Sequence, residues 1–280
     1  MRTLLAVVGD GTATPVLETA LLAARRFDGH IIGLNALTTE YAVVFGGEMG
    51  FSVSSEVDRT LEREGQERRD QARTLFTSFM RQHDVLLGPN TGRGVSAEWR
   101  EESGRQNAVV GTLGRVFDLI ILERPAKLAS LAEATLEDAL FESGRPVLMA
   151  PPKPPATIGE RVLIAWNGST ETARTVAFSM PYIALAKSVQ VVTVEGAMTP
   201  GPSGEDLALS LQRRGIAAIA RHVMAKNRQP GAVFLAEAEA IAADLMVKGA
   251  YTQSRLRQMI FGGATRHIIM EAGIPVLLAH

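Results

Sequence analysis

Short apolar runs alternate with longer segments of helical period along the whole chain. In the second half, Val162–Ala165, Val189–Val194, Ala217–His222, Leu245–Lys248 and Val276–Ala279 have the length and composition of strands. Between them, Thr170–Ala186, Glu205–Arg214, Ala232–Ala242 and Ala264–Ala272 read as helices, the first expected to bend or end at Pro181. Strands apolar on both sides of the pleat and separated by helices predict a parallel sheet covered on both faces. The first half repeats the alternation, with strands expected at Leu4–Val8, Ile31–Leu34, Val95–Trp99, Leu119–Leu122 and Val147–Ala150. Its distinctive segment is Glu56–His83, a long helix whose centre, Glu62 to Arg73, is mostly charged. The mixed signs predict a solvated face with i,i+4 pairs rather than a nucleic-acid surface.

Pro151-Pro152-Lys153-Pro154-Pro155 marks the clearest boundary, because consecutive prolines fix φ and favour an extended spacer. What lies on either side repeats. Arg2-Thr3-Leu4-Leu5-Ala6 aligns with Arg161-Val162-Leu163-Ile164-Ala165, and Ile31-Ile32-Gly33-Leu34 with Gln190-Val191-Val192-Thr193. Phe117–Leu122 parallels Ala243–Lys248, and Gly144–Ala150 parallels Gly273–Ala279. Four matches in one order point to a duplicated α/β unit, with domains at 1–152 and 158–280. Pairing of Pro146–Ala150 with Pro275–Ala279 would make the chain an internal pseudo-dimer and hide two sheet edges.

Composition narrows the function. A chain of 280 residues buries enough surface to fold without disulfides or metals. With Lys+Arg 29 against Asp+Glu 30, no global field draws it to nucleic acid or an anionic membrane. The absence of cysteine excludes disulfides, thiol catalysis and iron–sulfur clusters. No apolar run approaches the ~18 residues of a spanning helix. The run Leu4–Val8 stops at Gly9-Asp10, too short for a signal peptide, so a cytoplasmic location is expected. His30, His83, His222, His267 and His280 lack metal-ligand spacing, and no metal site is expected. Gly9-Asp10-Gly11 opens like a dinucleotide fingerprint, but Thr14 holds the place of the third glycine. No catalytic set is identifiable, and an enzyme is not expected.

In a doubly wound sheet, ligands bind at the carboxyl ends of the strands where the strand order reverses. After the fourth strand of the second half comes Gly249-Ala250-Tyr251-Thr252, then Gln253–Phe261, then Gly262-Gly263-Ala264-Thr265 ahead of a helix. Glycines let backbone amides approach an anion, and a helix N-terminus adds partial positive charge. Thr265 can donate to a phosphate or cap the helix, and Arg255, Arg257 and Arg266 can neutralise charge. Lys248 is either a phosphate contact or a solvated strand end. A plain loop, whose glycines serve turn geometry, is the competing reading.

These residues give the second half its likeness to a known family: it resembles a universal stress protein domain. The resemblance rests on Ala165-Trp166-Asn167-Gly168-Ser169, the Asp244–Gly249 strand end, the glycine loop and Ile274-Pro275-Val276-Leu277-Leu278. It covers nearly all of Arg161–His280 and extends more weakly to Met1–Pro152, so the chain is similar to a tandem universal stress protein. That implies two flavodoxin-like (adenine nucleotide alpha hydrolase-like) domains, each a five-stranded parallel sheet with helices on both faces. It also implies a non-catalytic stress-response role, ATP or a related adenine nucleotide as candidate ligand, and association through last strands, with a homodimer as a candidate assembly.

The family's ATP pattern is Gly-x2-Gly-x9-Gly-(Ser/Thr). Gly249 and Gly262 fit it, while Thr252 replaces the second glycine and Gly263 the hydroxyl residue. Ala264 and Thr265 follow in the phosphate turn, Asn167 stands where an aspartate often meets the nucleoside, and Val192 and Thr193 match the adenine-facing strand end. The first half has no glycine from Glu123 to Ala134, carries Pro125, and aligns Val8 with the nucleoside contact, so it is expected to be degenerate. The alternative is a nucleotide-free interaction or scaffold module that uses Glu56–His83 and Gly46–Phe51.

Overall fold

The computed structural model describes residues 1–9, 13–37, 55–89, 92, 94–127, 129–250 and 263–280, with 55–62 described through the backbone alone. The first half runs β1 (Thr3–Val7), α1 (Ala13–Phe27), β2 (His30–Leu37), α2 (Ser55–Gln82), β3 (Leu86–Leu87), β4 (Ser96–Ser103), α3 (Gln106–Leu113), β5 (Leu119–Glu123), α4 (Leu131–Glu142) and β6 (Val147–Ala150). The second runs β7 (Arg161–Ala165), α5 (Thr170–Ile183), β8 (Ser188–Val194), α6 (Gly204–Gln212), β9 (Ala218–Val223), α7 (Pro230–Ala240), β10 (Leu245–Gly249), α8 (Ala264–Glu271) and β11 (Val276–Ala279). Helix α5 continues through Pro181 to Ile183 rather than stopping at the proline.

These strands form one sheet in the order β3-β4-β2-β1-β5-β6-β11-β10-β7-β8-β9. Each half is a parallel, doubly wound α/β unit whose first strand is central, and the first half adds the two-residue β3 outside it. The halves meet where β6 and β11 pair antiparallel, with Leu148 opposite Leu277. Helices α1, α2, α5 and α6 cover one face, packing Phe76, Val176, Tyr182 and Leu211 on it. The opposite face carries α3, α4, α7 and α8, with Val110, Leu136, Phe234 and Ile268 buried. Burial on both faces explains the continuous apolar strands. Among the described side chains of α2, Ala72, Phe76, Phe79 and Met80 pack on the core, while Arg63 and Glu67 pair in solvent at 2.8 Å.

Hydrogen bonds at the strand entrances align the halves independently of sequence. The Asp118 carboxylate accepts from the backbone N–H of Arg2 at 2.6 Å and Thr3 at 3.1 Å. Asp244 accepts in the same way from Glu160 at 3.1 Å and Arg161 at 2.8 Å. Thr3 is therefore the counterpart of Arg161, and the sheet register agrees, with Thr3 opposite His30 and Arg161 opposite Ser188. The sequence alignment, drawn by two arginines, is one residue out in the first two strands of each half. A slip of one residue exchanges the two faces of a strand. Here both faces are apolar, so the pattern concealed it. On the corrected register Gly9, not Val8, is the counterpart of Asn167.

Candidate functional site

The switch point of the second half lies between β7 and β10, with β8 and β9 to one side and β11 to the other. β7 ends in Trp166-Asn167-Gly168-Ser169, and Ser169 caps α5 by accepting from the N–H of Thr172 at 3.2 Å. The side-chain oxygen of buried Asn167 accepts from the Thr172 hydroxyl at 2.6 Å and the Ser169 N–H at 3.2 Å, an Asx turn that fixes the start of α5. Gly249, at the end of β10, touches this turn. A Cβ there would stand 2.5 Å from the Thr172 nitrogen, so only glycine lets the strand end reach the helix start.

The segment after β8 folds over the same turn. Thr199 donates to the Asn167 carbonyl through its N–H at 2.8 Å and its hydroxyl at 3.0 Å, and the Trp166 indole N–H donates to the Pro202 carbonyl at 2.9 Å. Gly168, at φ 81°, gives the turn its left-handed residue against Thr199. On β8, the Val192 carbonyl accepts from the Trp166 N–H at 2.9 Å, and the Thr193 hydroxyl lies 3.1 Å from His222 Nδ1.

Gly263 is the N-cap of α8, with Ala264 and Thr265 in its first turn. This end has neither a side-chain cap nor an acidic residue in its first turn. Beside it, between the starts of α7 and α8, runs an open groove of about 250 Å³ lined by Gln229, Gly263, Arg266, His267, Met270 and Glu271. Of the residues singled out for a ligand, Asn167 and Gly249 are brought together around Thr172, Val192 and Thr193 lie on the flanking strand, and Gly263, Ala264 and Thr265 open α8. Thr252, Arg255 and Gly262 lie outside the described residues, as do Arg257, Asp10 and the Gly46–Phe51 connection. Thr172 carried no motif and was found only through its contacts.

Lys248 is not a solvated strand end. It is 3% exposed, and its ammonium donates at 2.6 Å to the carbonyl of Gly249. Burial pushes its pKa down to about 8, against a smaller upward pull from Glu171 at the start of α5. Among the described residues no group of three or more side chains suits a metal ion, and no helix is long and apolar enough to cross a membrane.

The corresponding turn of the first half is arranged differently. Glu123 takes the place of Gly249, and Leu122 that of Lys248, as the pairing of Glu123 with Ala150 and Gly249 with Ala279 shows. Helix α4 caps itself: the Ser130 hydroxyl accepts from the Glu133 N–H at 3.2 Å, and the Glu133 carboxylate accepts from the Ala129 N–H at 2.6 Å. Two of the N–H groups that an anion would meet there are already taken.

Fold and site together define a doubly wound α/β protein built from a repeated unit, with an open groove between the starts of α7 and α8. The profile of the Universal stress protein family matches residues 160–280, and this part of the chain belongs to that family. A universal stress protein from Archaeoglobus fulgidus DSM 4304 has a similar structure, with a TM-score of 0.70 at 17% identity over 99% of this chain and 95% of that one. A protein of unknown function from Pseudomonas aeruginosa PAO1 is similar at a TM-score of 0.55 and 16% identity, over 100% of this chain and 92% of that one. At these identities the likeness is one of fold. No protein of curated function matches the sequence at significant similarity.

Proposed function

We propose that the chain is a tandem universal stress protein whose second domain binds ATP or a related adenine nucleotide and acts by binding rather than turnover. The observation that carries this reading is the uncapped start of α8 at Gly263, the helix that follows the strand ending at Gly249, where the first half has a self-capped helix after Glu123. Free amides at a helix start attract phosphate. On this reading 1–152 is an architectural domain and 158–280 the responsive one. Native mass spectrometry of freshly purified protein, before and after addition of millimolar ATP, tests it. A retained adenine nucleotide is the expected result, and failure to detect any overturns the reading.

One observation favours a nucleotide-free scaffold instead. The Asn167 side-chain oxygen and the Val192 carbonyl are already engaged within the domain. That reading predicts no thermal shift with ATP and a specific partner in pull-downs that is lost when α2 is deleted.

A further inference from the structure

Strand β10 is apolar from Leu245 to Val247 and then carries an ammonium. Lys248 lies between Ala165 of β7 and Leu278 of β11, in the middle of the second half's sheet rather than on an edge. Alternation along the strand places it on the same face as Met246 and Ala250, under α7 and α8. The repeat supplies an internal control, because at this position the first half holds Leu122, equally buried. The fold therefore accommodates an apolar residue here without help. An ammonium has three donor hydrogens. Only one is used by the described residues, on the carbonyl of the adjoining Gly249, and the opposing charge that acts on it is Glu171, at the start of α5. A buried donor left over in this way calls for a partner, such as an ion or a ligand group.

We propose that Lys248 recognises a phosphate group at this switch point, giving it the charge and the two hydrogen bonds that the described residues leave unused. This rests on the nucleotide reading above and deepens it: Lys248 would separate phosphorylated adenine ligands from adenosine. Its depressed basicity fits the same role, since a bound anion returns to the ammonium the stabilisation that burial removes.

The test compares the full-length protein with Lys248→Leu, the residue the repeat already uses. Calorimetric titration with ATP and with adenosine is joined to NMR of the lysine 13Cε signals with inorganic tripolyphosphate. The variant spectrum identifies the Lys248 signal by its disappearance. The expected result is ATP binding weakened by about tenfold or more in the variant, adenosine binding unchanged, and the Lys248 signal moved by tripolyphosphate in the parent protein. Equal ATP affinity in the two proteins overturns the role of Lys248 and leaves the nucleotide reading standing. A Lys248 signal that responds to tripolyphosphate in a protein that binds neither ATP nor adenosine retains the anion role and removes the nucleotide reading. If no probe binds and the signal stays still, both fall.

Discussion

The turns after β5 and β10 occupy equivalent places in two copies of one unit, and they solve the same electrostatic problem in opposite ways. After β5, Ser130 and Glu133 answer the amides at the start of α4 from within the chain. After β10, α8 starts at a bare glycine, and the strand before it carries a buried lysine one residue from its end where its twin carries leucine. Duplication lets one copy hold the architecture while the other carries polar groups that the fold does not need. Buried, half-satisfied charge costs stability and is characteristic of functional sites. The asymmetry between the halves is therefore what the proposed site rests on.

The comparison can be broken most severely at Gly249. Gly249→Val drives a side chain into the start of α5 and should destabilise the protein by about 3 kcal/mol or more, read as a lowered urea midpoint. Glu123→Val, its twin, should change that midpoint little. If both behave alike, the close approach at Gly249 is not what distinguishes the halves.

The next largest effect belongs to Lys248. With its pKa about 8 in the folded chain against 10.5 in the unfolded one, the unfolded state binds more protons between those values, so stability rises with pH across that window. Below pH 8 the full cost applies, and Lys248→Leu should recover up to about 3 kcal/mol there. Chemical denaturation at pH 7 and at pH 10 measures it. A variant no more stable than the parent at pH 7 contradicts a buried, poorly compensated ammonium.

Smaller effects come from exchanging the caps. Ser130→Ala should cost about 1 kcal/mol, the loss of an N-cap. Gly263→Asp should give α8 the cap that α4 has: the Cβ at 263 meets open space and φ is -88°, compatible with any side chain. The predicted outcome is a slight rise in melting temperature together with loss of the ATP-dependent thermal shift. Retention of that shift would show that the start of α8 takes no part in binding.

Much of the architecture was legible in the pattern of residues, for a physical reason. Strands buried on both faces must be apolar throughout, so Val147–Ala150 and Val276–Ala279 show their limits in sequence and in structure alike. The same rule failed at β4, which continues past Trp99 through Arg100, Glu101 and Glu102 to stay paired with β2. There Trp99 still packs on Phe76, but beyond it the polar side chains are held by pairing, Glu101 with the Trp99 indole N–H and Arg100 with Glu102, instead of entering the core. At the site, Gly249 and the Gly263 turn could be read from spacing, because glycine has few other uses beside a helix start. The fate of Asn167 could not. Whether its oxygen faces a ligand or the Thr172 hydroxyl depends on the conformation of a turn against which Gly249 packs from a strand distant in sequence. Lys248 misled for a similar reason, since a lysine beside a glycine loop looks exposed until the neighbouring strands are in place.

The antiparallel seam between β6 and β11 has a geometric consequence. Every strand of the first half points one way and every strand of the second the other, so the mouths of the two copies open at opposite poles of the molecule. A guest held by one copy lies beyond the reach of the other copy's equivalent loops. Any influence it exerts on the distant half has to cross the seam, through the β6–β11 ladder and the packing beside it, such as Phe27 on Tyr182 and Phe141 on His280, as a mechanical signal rather than by touch.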